Sequence, residues 1–249
     1  MAGMKITESL NEITRTWLSM VDTLYRWTAG VAQLQVEELA HRFGKRNVLW
    51  RVTLKVEAGE CAVLYGANGS GKSTLLSLLA TRLRIQQGRC LLDDINLQTQ
   101  GEQARRRLLF VGHHTHLYGH LSPLENLIFF CDMHQLSIER SVLIEAVATV
   151  GLAPFVHQPI RWFSAGMKKR LALARILVAH PSLLLLDEPY SALDHAGVDW
   201  LNGTIDRFQK QGGLVVMASH DPEKVSPLKH SPWRLEKGVL SPWQDVSSC

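Results

Sequence analysis

The chain has 249 residues, of which 46% are hydrophobic and 20% are charged, and its formal net charge is +4. This balance is that of a globular protein with room for one large α/β domain or two small ones, and the mild, dispersed charge argues against a nucleic-acid partner. The four cysteines lack metal-site spacing, which favours a reducing compartment, and the longest apolar run falls short of the roughly 20 residues that span a bilayer.

Residues 1–32 predict an amphipathic helical extension. Apolar side chains recur at gaps that alternate between four and three residues, as at Ile6, Leu10, Ile13 and Trp17. This spacing places them on one face of a helix. The face could lie on a membrane or a partner helix, or it could pack on the chain's own domain. An upstream start codon that adds residues not normally made is a further interpretation.

From about residue 33 the pattern changes to that of a second unit, which we expect to span residues 33–245. Partial alternation over residues 34–39 and 52–56 predicts two strands. Phe43 falls in the turn-rich segment between them. Its aromatic face could stack on an adenine, or it could anchor the turn.

The most informative motif is G-x-x-x-x-G-K-S at residues 66–73, between a predicted buried strand and a predicted helix over residues 72–83. The glycines let the backbone curl so that N–H groups cradle phosphate oxygens, and the helix N-terminus faces the anion. Lys72 can neutralise the β- and γ-phosphates, and the Ser73 hydroxyl can ligate Mg²⁺. The predicted nucleotide-binding residues are Gly66, Ala67, Asn68, Gly69, Ser70, Gly71, Lys72, Ser73 and Thr74.

A histidine-rich segment follows a strand predicted over residues 105–111. It contains His113, His114, His116 and His120, a composition seen in metal-binding tracts. No cysteine or carboxylate cluster accompanies these histidines, and neighbouring side chains in an extended chain point in opposite directions. A metal or haem site is therefore the weaker interpretation of this segment.

Residues 122–157 predict helices, the first opening with a serine N-cap and a proline. Another helix is expected to begin near Ser164 and to run to about residue 178. Four leucines then end in two carboxylates, Asp187 and Glu188. This pattern predicts a buried strand that carries the two acids to its C-terminal edge, where open α/β sheets bind ligands.

A last buried strand over residues 213–218 leads to His220. The tail from residue 231 predicts a short hairpin with residues 237 and 238 as its turn. No internal repeat or low-complexity linker occurs in the sequence.

Residues from about 33 to 240 resemble the nucleotide-binding subunit of an ABC transporter. Residues 66–74 correspond to the Walker A motif, and Asp187 and Glu188 to Walker B and the glutamate that follows it. The signature is the most specific of the motifs, because phosphate-binding loops occur in many NTPases. The signature corresponds to Ser164, Ala165 and Gly166, the D-loop ends at Asp194, and the switch histidine is His220.

The resemblance implies a P-loop NTPase fold of the α/β class: a RecA-like core with an antiparallel β subdomain and an inserted α-helical subdomain at about residues 115–165. It also implies that two copies close head to tail around two ATP molecules, each held by one copy's loop and capped by the other's signature. The implied cofactors are ATP and Mg²⁺. The implied roles are metal binding for Ser73 and Asp187, and catalysis for Lys72, Glu188 and His220.

Two positions depart from the common pattern of the family. His114 stands in place of the Q-loop glutamine; its neutral ring could bind Mg²⁺ or water, whereas a protonated ring would repel the metal. Met167 stands where the signature usually ends in glutamine. We expect ATP binding to survive both changes and hydrolysis to be slow.

Within the family, the chain resembles the haem-exporter ATP-binding subunits of bacterial cytochrome c maturation. The pointers are its compact length and the residues at 112–113, 121–127 and 194–199. This resemblance implies a peripheral ATPase on the cytoplasmic face of the inner membrane, with an integral membrane permease and a second ATP-binding subunit as partners. The alternatives are the ATPase of a drug or lipid exporter, a soluble ABC ATPase acting on ribosomes or DNA, and a haem-binding module.

Overall fold

The computed structural model describes residues 33–243 of the 249-residue chain. The amphipathic helix predicted for residues 1–32 lies outside the described residues, as do residues 244–249. Among the described residues, no helix is both long enough and apolar enough to cross a membrane.

An antiparallel sheet forms one layer of the fold. Its strands, in spatial order, are β2 (Arg46–Val56), β1 (Leu34–Phe43), β4 (Gln87–Leu92) and β5 (Ile95–Asn96). β1 and β2 form a hairpin in which Phe43 pairs with Arg46. The sheet therefore places Phe43 at the turn, at the last position of β1.

A six-stranded sheet forms the central layer. Every neighbouring pair in it is parallel except β9 with β10. All residues of β3, β7 and β8 are buried, as expected for parallel strands that are covered on both faces. The spatial order is β10 (Val239–Pro242), β9 (Ser231–Glu236), β3 (Cys61–Tyr65), β8 (Leu214–Ala218), β7 (Leu183–Asp187) and β6 (Leu108–Val111).

Helices connect these strands. The helix that was predicted to open with a serine cap does so, since the Ser122 hydroxyl and the Glu125 side chain each accept a hydrogen bond from the other's backbone amide. This reciprocal pair satisfies amides that a helix start leaves without partners. The helices are α1 (Lys72–Leu79), α2 (Gly101–Arg107), α3 (Pro123–Met133), α4 (Arg140–Thr149), α5 (Ala165–Ala174), α6 (Ile176–Ala179), α7 (His195–Lys210) and α8 (Pro222–Val225).

One predicted strand boundary is wrong. We expected a strand over residues 105–111, but residues 105–107 are the last turn of α2 and β6 begins at Leu108. Arginines are favoured in the last turn of a helix because they face its negative end. Arg106 also pairs with Glu102 one turn earlier. These local contacts favour helix over the extended chain.

Two hydrophobic cores lie on the two sides of the central sheet. Alternate residues of β7 point into different cores: Leu184 and Leu186 into the one shared with α3 to α6, Leu183 and Leu185 into the one shared with α1 and the antiparallel sheet. The sheet is thus covered on both faces. Polar residues that follow its strands are left to gather at its carboxyl edge.

Candidate nucleotide-binding site

The phosphate-binding loop joins β3 to α1, as its sequence predicts. Its backbone turns at Gly66, Gly69 and Gly71, whose φ angles are 151°, 79° and 112°. A Cβ atom at Gly66 would lie only 2.3 Å from the carbonyl oxygen of Leu235 on β9. Glycine is therefore required at this point for the loop to pass the neighbouring strand.

Lys72 opens α1 and turns back into the loop. Its Nζ donates hydrogen bonds to the carbonyl oxygens of Gly66, at 2.7 Å, and Ala67, at 3.2 Å. The residue is buried, with 6% exposure. The ammonium is thus held inside the loop, where it would meet the phosphates of a nucleotide.

Ser73 and Asp187 bring together two oxygen donors that suit Mg²⁺. The Ser73 hydroxyl donates to Oδ1 of Asp187 across 3.1 Å, and Asp187 is a buried residue at the end of β7. Mg²⁺ takes one or two protein oxygens and completes its shell with phosphate and water, so this pair fits the implied metal. Within residues 33–243, no group of three or more histidine, cysteine or acidic side chains is placed to hold a metal.

Glu188 and His220 form a hydrogen-bonded pair beside the loop. Nδ1 of His220 lies 2.7 Å from Oε2 of Glu188, and because an ionised carboxylate only accepts hydrogen bonds, Nδ1 carries the proton. Glu188 has a left-handed φ of 48°, and its amide donates to the carbonyl of Ala218 at the end of β8. This uncommon backbone conformation directs the carboxylate away from the strand and to His220.

These groups open onto one cleft of about 710 Å³, here called the nucleotide cleft. Phe43 lies on it and is 52% exposed, so about half of the residue is open to solvent. Sequence reasoning missed Arg46, which no local motif marks because β2 brings it to the cleft. The lining consists of residues 66–74 apart from Ser70, with Phe43, Arg46, Val48, His113, Asp187, Glu188, Ser191 and His220.

The sequence assigns His114 to the Q-loop position, and the structure places its neighbour on the cleft. His113 lines the nucleotide cleft, whereas His114 is not among the described residues that line it. The two rings lie edge to face with centroids 5.4 Å apart, and His114 approaches His116 on its other side at 6.4 Å. The chain bends at these two residues after β6 ends, and of the two neighbours His113 lies on the cleft.

The signature residues Ser164, Ala165 and Gly166 lie outside the cleft that their own described chain forms. Ser164 is the N-cap of α5, and its hydroxyl accepts from the amide of Met167 at 3.2 Å. Ser164 and Ala165 are exposed. Gly166 packs on the D-loop, where a Cβ atom would lie 2.6 Å from the carbonyl oxygen of Ala192. This close approach requires glycine.

Asp194 joins the D-loop to two helices. Its Oδ1 accepts from the amide of Gly197 at 3.2 Å and so caps α7. Its Oδ2 lies 3.5 Å from the guanidinium of Arg170 on α5. The signature helix and the D-loop are therefore connected by a close backbone contact and by an ion pair.

Lys169 on α5 is a buried cation that sequence reasoning missed, because a run of three basic residues is typical of an exposed face. It is 2% exposed, and its Nζ donates to the carbonyl oxygen of Gly112 at 3.5 Å. Burial lowers the pKa of Lys169 to about 8, and the negative charges of Asp187 and Glu188 oppose that shift. The helix thus places a charge near both carboxylates of the cleft.

Comparison with known sequences agrees with these motifs. The sequence profile of the ABC transporter family matches residues 49–191. The chain is 37% identical over 187 residues to the cytochrome c biogenesis ATP-binding export protein CcmA of Pseudomonas aeruginosa, covering 75% of this chain and 92% of that protein. It is 34% identical over 199 residues to the protein of the same name in Escherichia coli K12, covering 80% and 94%.

Two similar solved structures bear on the fold alone, because each is less than 25% identical to this chain. An ATP-binding subunit of an ABC transporter superimposes with a TM-score of 0.77 at 24% identity, covering 84% of this chain and 89% of that chain. A dimeric ATP-binding cassette in a post-hydrolysis state, bound to ADP and phosphate, gives 0.75 at 22% identity, covering 85% and 99%. The predicted P-loop NTPase fold is confirmed.

Proposed function

This chain belongs to the ABC transporter family as an ATP-hydrolysing subunit, and on that premise we propose that it powers haem export in the biogenesis of c-type cytochromes. The curated relatives are named for ATP binding, export and cytochrome c biogenesis. The sequence resemblance adds haem as the exported group. The cytoplasmic face of the inner membrane is the corresponding location.

One observation supports the ATPase site above all others. Lys72, Ser73, Asp187 and Glu188 open onto the same cleft, although Ser73 and Asp187 are 114 positions apart in the chain. The set supplies a phosphate-binding cation, two metal-suited oxygens and a carboxylate held by a histidine. ATP hydrolysis by the purified protein in the presence of Mg²⁺, abolished in Lys72→Ala, tests this assignment.

In this proposal each residue of the cleft has a separate role in ATP hydrolysis. Loop amides and Lys72 bind the β- and γ-phosphates, while Mg²⁺ held by Ser73 and Asp187 supplies positive charge there. Glu188 orients the attacking water and accepts its proton. His220 holds the Glu188 carboxylate through Nδ1–H and leaves Nε2 for the γ-phosphate. Positioning and charge stabilisation provide most of the rate.

A second copy completes the site in this proposal. The exposed N-terminus of α5, with Ser164 and Ala165, would cap the ATP held on the other copy's loop. Free amides and the positive end of the helix dipole suit the γ-phosphate. An ATP-dependent dimer of a hydrolysis-deficient variant, measured by light scattering after gel filtration, tests this arrangement.

The membrane permease would bind elsewhere, and one groove of about 290 Å³ suits it. Tyr118, Phe129 and Met133 stand exposed on this groove. The guanidinium of Arg82 lies 5.0 Å from the ring centre of Phe110 on the same surface. We call this surface the arginine groove.

The arginine groove is electropositive. Arg82, Arg105 and Arg175 line it, and no aspartate or glutamate is among the described residues that do so. Burial first, and then the charges of Arg82, His114 and Arg175, lower the pKa of His116 there. We propose that it receives a cytosolic segment of the permease that carries carboxylates beside apolar side chains. Charge complementarity would set the orientation of that segment.

A further inference from the structure

Trp162 is the most exposed large apolar side chain in the described part of the chain, at 82%. It ends the short 3-10 turn Ile160–Trp162; Ile160, two residues before it, and Phe163, directly after it, are both buried. The amide of Ile160 donates to the carbonyl of Leu121 at 3.0 Å. The backbone on both sides is therefore anchored in the core, and Trp162 is held outward.

One partner of the ring comes from the chain itself. The guanidinium of Arg161 lies 5.1 Å from the ring centre of Trp162, a cation–π contact that steadies the indole. This contact and the 82% exposure leave most of the ring surface in solvent. Trp162 is not among the described residues that line its own nucleotide cleft.

The position of Trp162 along the chain relates it to the proposed dimer. It lies two residues before Ser164, the cap of α5 that would meet the γ-phosphate of the other copy's ATP. Two residues of extended chain span about 7 Å, and the indole adds its own length. Phosphates, ribose and base follow one another along ATP, so a side chain at this distance that runs along the nucleotide would reach the sugar or the base.

We propose that Trp162 of one copy stacks on the ribose and adenine of the ATP bound by the other copy, on the side that Phe43 leaves open. This inference rests on the head-to-tail dimer of the proposed function. An indole face suits a purine without requiring a matched hydrogen bond. Two copies related by two-fold symmetry would make the contact twice. Trp162 is then a nucleotide-contacting residue supplied in trans.

The test uses the full chain carrying Glu188→Gln, with and without Trp162→Ala. The ATP concentration that gives half-maximal dimer should rise about tenfold in the alanine variant, since removal of a stacked aromatic typically weakens binding roughly 5- to 150-fold. Binding of mant-ATP to the dilute monomer should be unchanged, because the contact is made only in trans. Trp162→Phe should recover most of the loss.

Trp50→Ala is the matched control, since Trp50 is 52% exposed on β2 and outside the described lining of the nucleotide cleft; it should leave dimerisation unchanged. Equal dimerisation of the parent and Trp162→Ala would overturn the role of Trp162 and leave the proposed function intact. Weaker mant-ATP binding by the Trp162→Ala monomer would also overturn it. A parent that forms no dimer with ATP would overturn the proposed dimer and this inference together.

Discussion

Nδ1 of His220 lies 2.7 Å from Oε2 of Glu188, although 32 positions separate the two residues in the chain. β7 and β8 are adjacent parallel strands, so the residues that follow them meet at one edge of the sheet. The hydrogen bond from the histidine holds the carboxylate on the nucleotide cleft. The hydrogen bond therefore couples the position of Glu188, the proposed base, to that of His220, which would contact the γ-phosphate.

Glu188→Gln should retain ATP binding and lose at least about 100-fold in turnover, because the amide cannot accept the water's proton. ATP hydrolysis and equilibrium binding of mant-ATP measure the two effects. The charge-neutral substitution leaves the shape of the side chain almost unchanged, which separates chemistry from packing. Turnover within a few-fold of the parent would remove Glu188 from its proposed role.

His220→Ala should lower turnover less than Glu188→Gln does, since it disorders the carboxylate without removing it. The loss in the double variant should be clearly smaller than the product of the two single losses, because residues that act as a unit are not additive. A double-mutant cycle on kcat measures this coupling. Fully multiplicative losses would show that the two residues act independently.

Asp187→Asn should raise the Mg²⁺ concentration needed for half-maximal activity by about tenfold or more, because a neutral amide binds a hard cation less well than a carboxylate. A Mg²⁺ titration at saturating ATP measures it. Asp132→Asn, a change on the exposed surface of α3, is the control. An unchanged Mg²⁺ dependence in Asp187→Asn would contradict the proposed metal site.

His113→Ala should reduce turnover several-fold more than His114→Ala. Of these two histidines, only His113 is among the described residues that line the nucleotide cleft. Steady-state hydrolysis by the two variants distinguishes the neighbours. A greater loss in His114→Ala would support His114 as the Q-loop residue, as the family resemblance implies. In that case the histidine-rich segment would have to rearrange when nucleotide binds.

The predictions made from the sequence agree with the structure where a motif consists of contiguous residues. The glycines of residues 66–74 allow the tight turns of the phosphate-binding loop, and the leucines before Asp187 are typical of a buried strand. The loop and the strand were therefore predictable from the sequence. Which of His113 and His114 lines the nucleotide cleft was not predictable, because it depends on the path of the chain after β6. The burial of Lys169 was not predictable either, since it depends on the packing of α5 against the sheet.

Lys169→Met should stabilise the fold by about 1–3 kcal/mol at pH 7.5 and lower turnover, because it removes both the cost of a buried charge and the cation near the carboxylates. The folded pKa of about 8 lies below the ordinary lysine pKa of 10.5. Between these values the unfolded chain binds more protons, so the parent gains stability as the pH rises.

The stability difference between Lys169→Met and the parent should therefore shrink from pH 7.5 to pH 9.5. Chemical denaturation at the two pH values measures it. Lys169→Arg, which keeps the charge, should retain more activity than the methionine variant. A difference in unfolding free energy that stays constant with pH would contradict the presence of a buried lysine charge.

Arg82→Glu should weaken copurification with the co-expressed permease and leave ATP binding unchanged, because it replaces one of the three arginines of the arginine groove by a negative charge. Arg89→Glu is the control, since Arg89 is exposed on β4 and outside the described lining of that groove. Loss of the complex with rising salt should be steeper for the parent than for Arg82→Glu. Equal recovery of the permease with both variants would place its contact elsewhere.

The most direct test of the proposed function is to delete the gene in its own host and measure haem-stained c-type cytochromes. The deletion should abolish them while b-type cytochromes persist, and the wild-type chain should restore them whereas Glu188→Gln should not. Normal c-type cytochromes in the deletion strain, with ATP hydrolysis by the purified protein intact, would leave an ABC ATPase whose cargo is not haem.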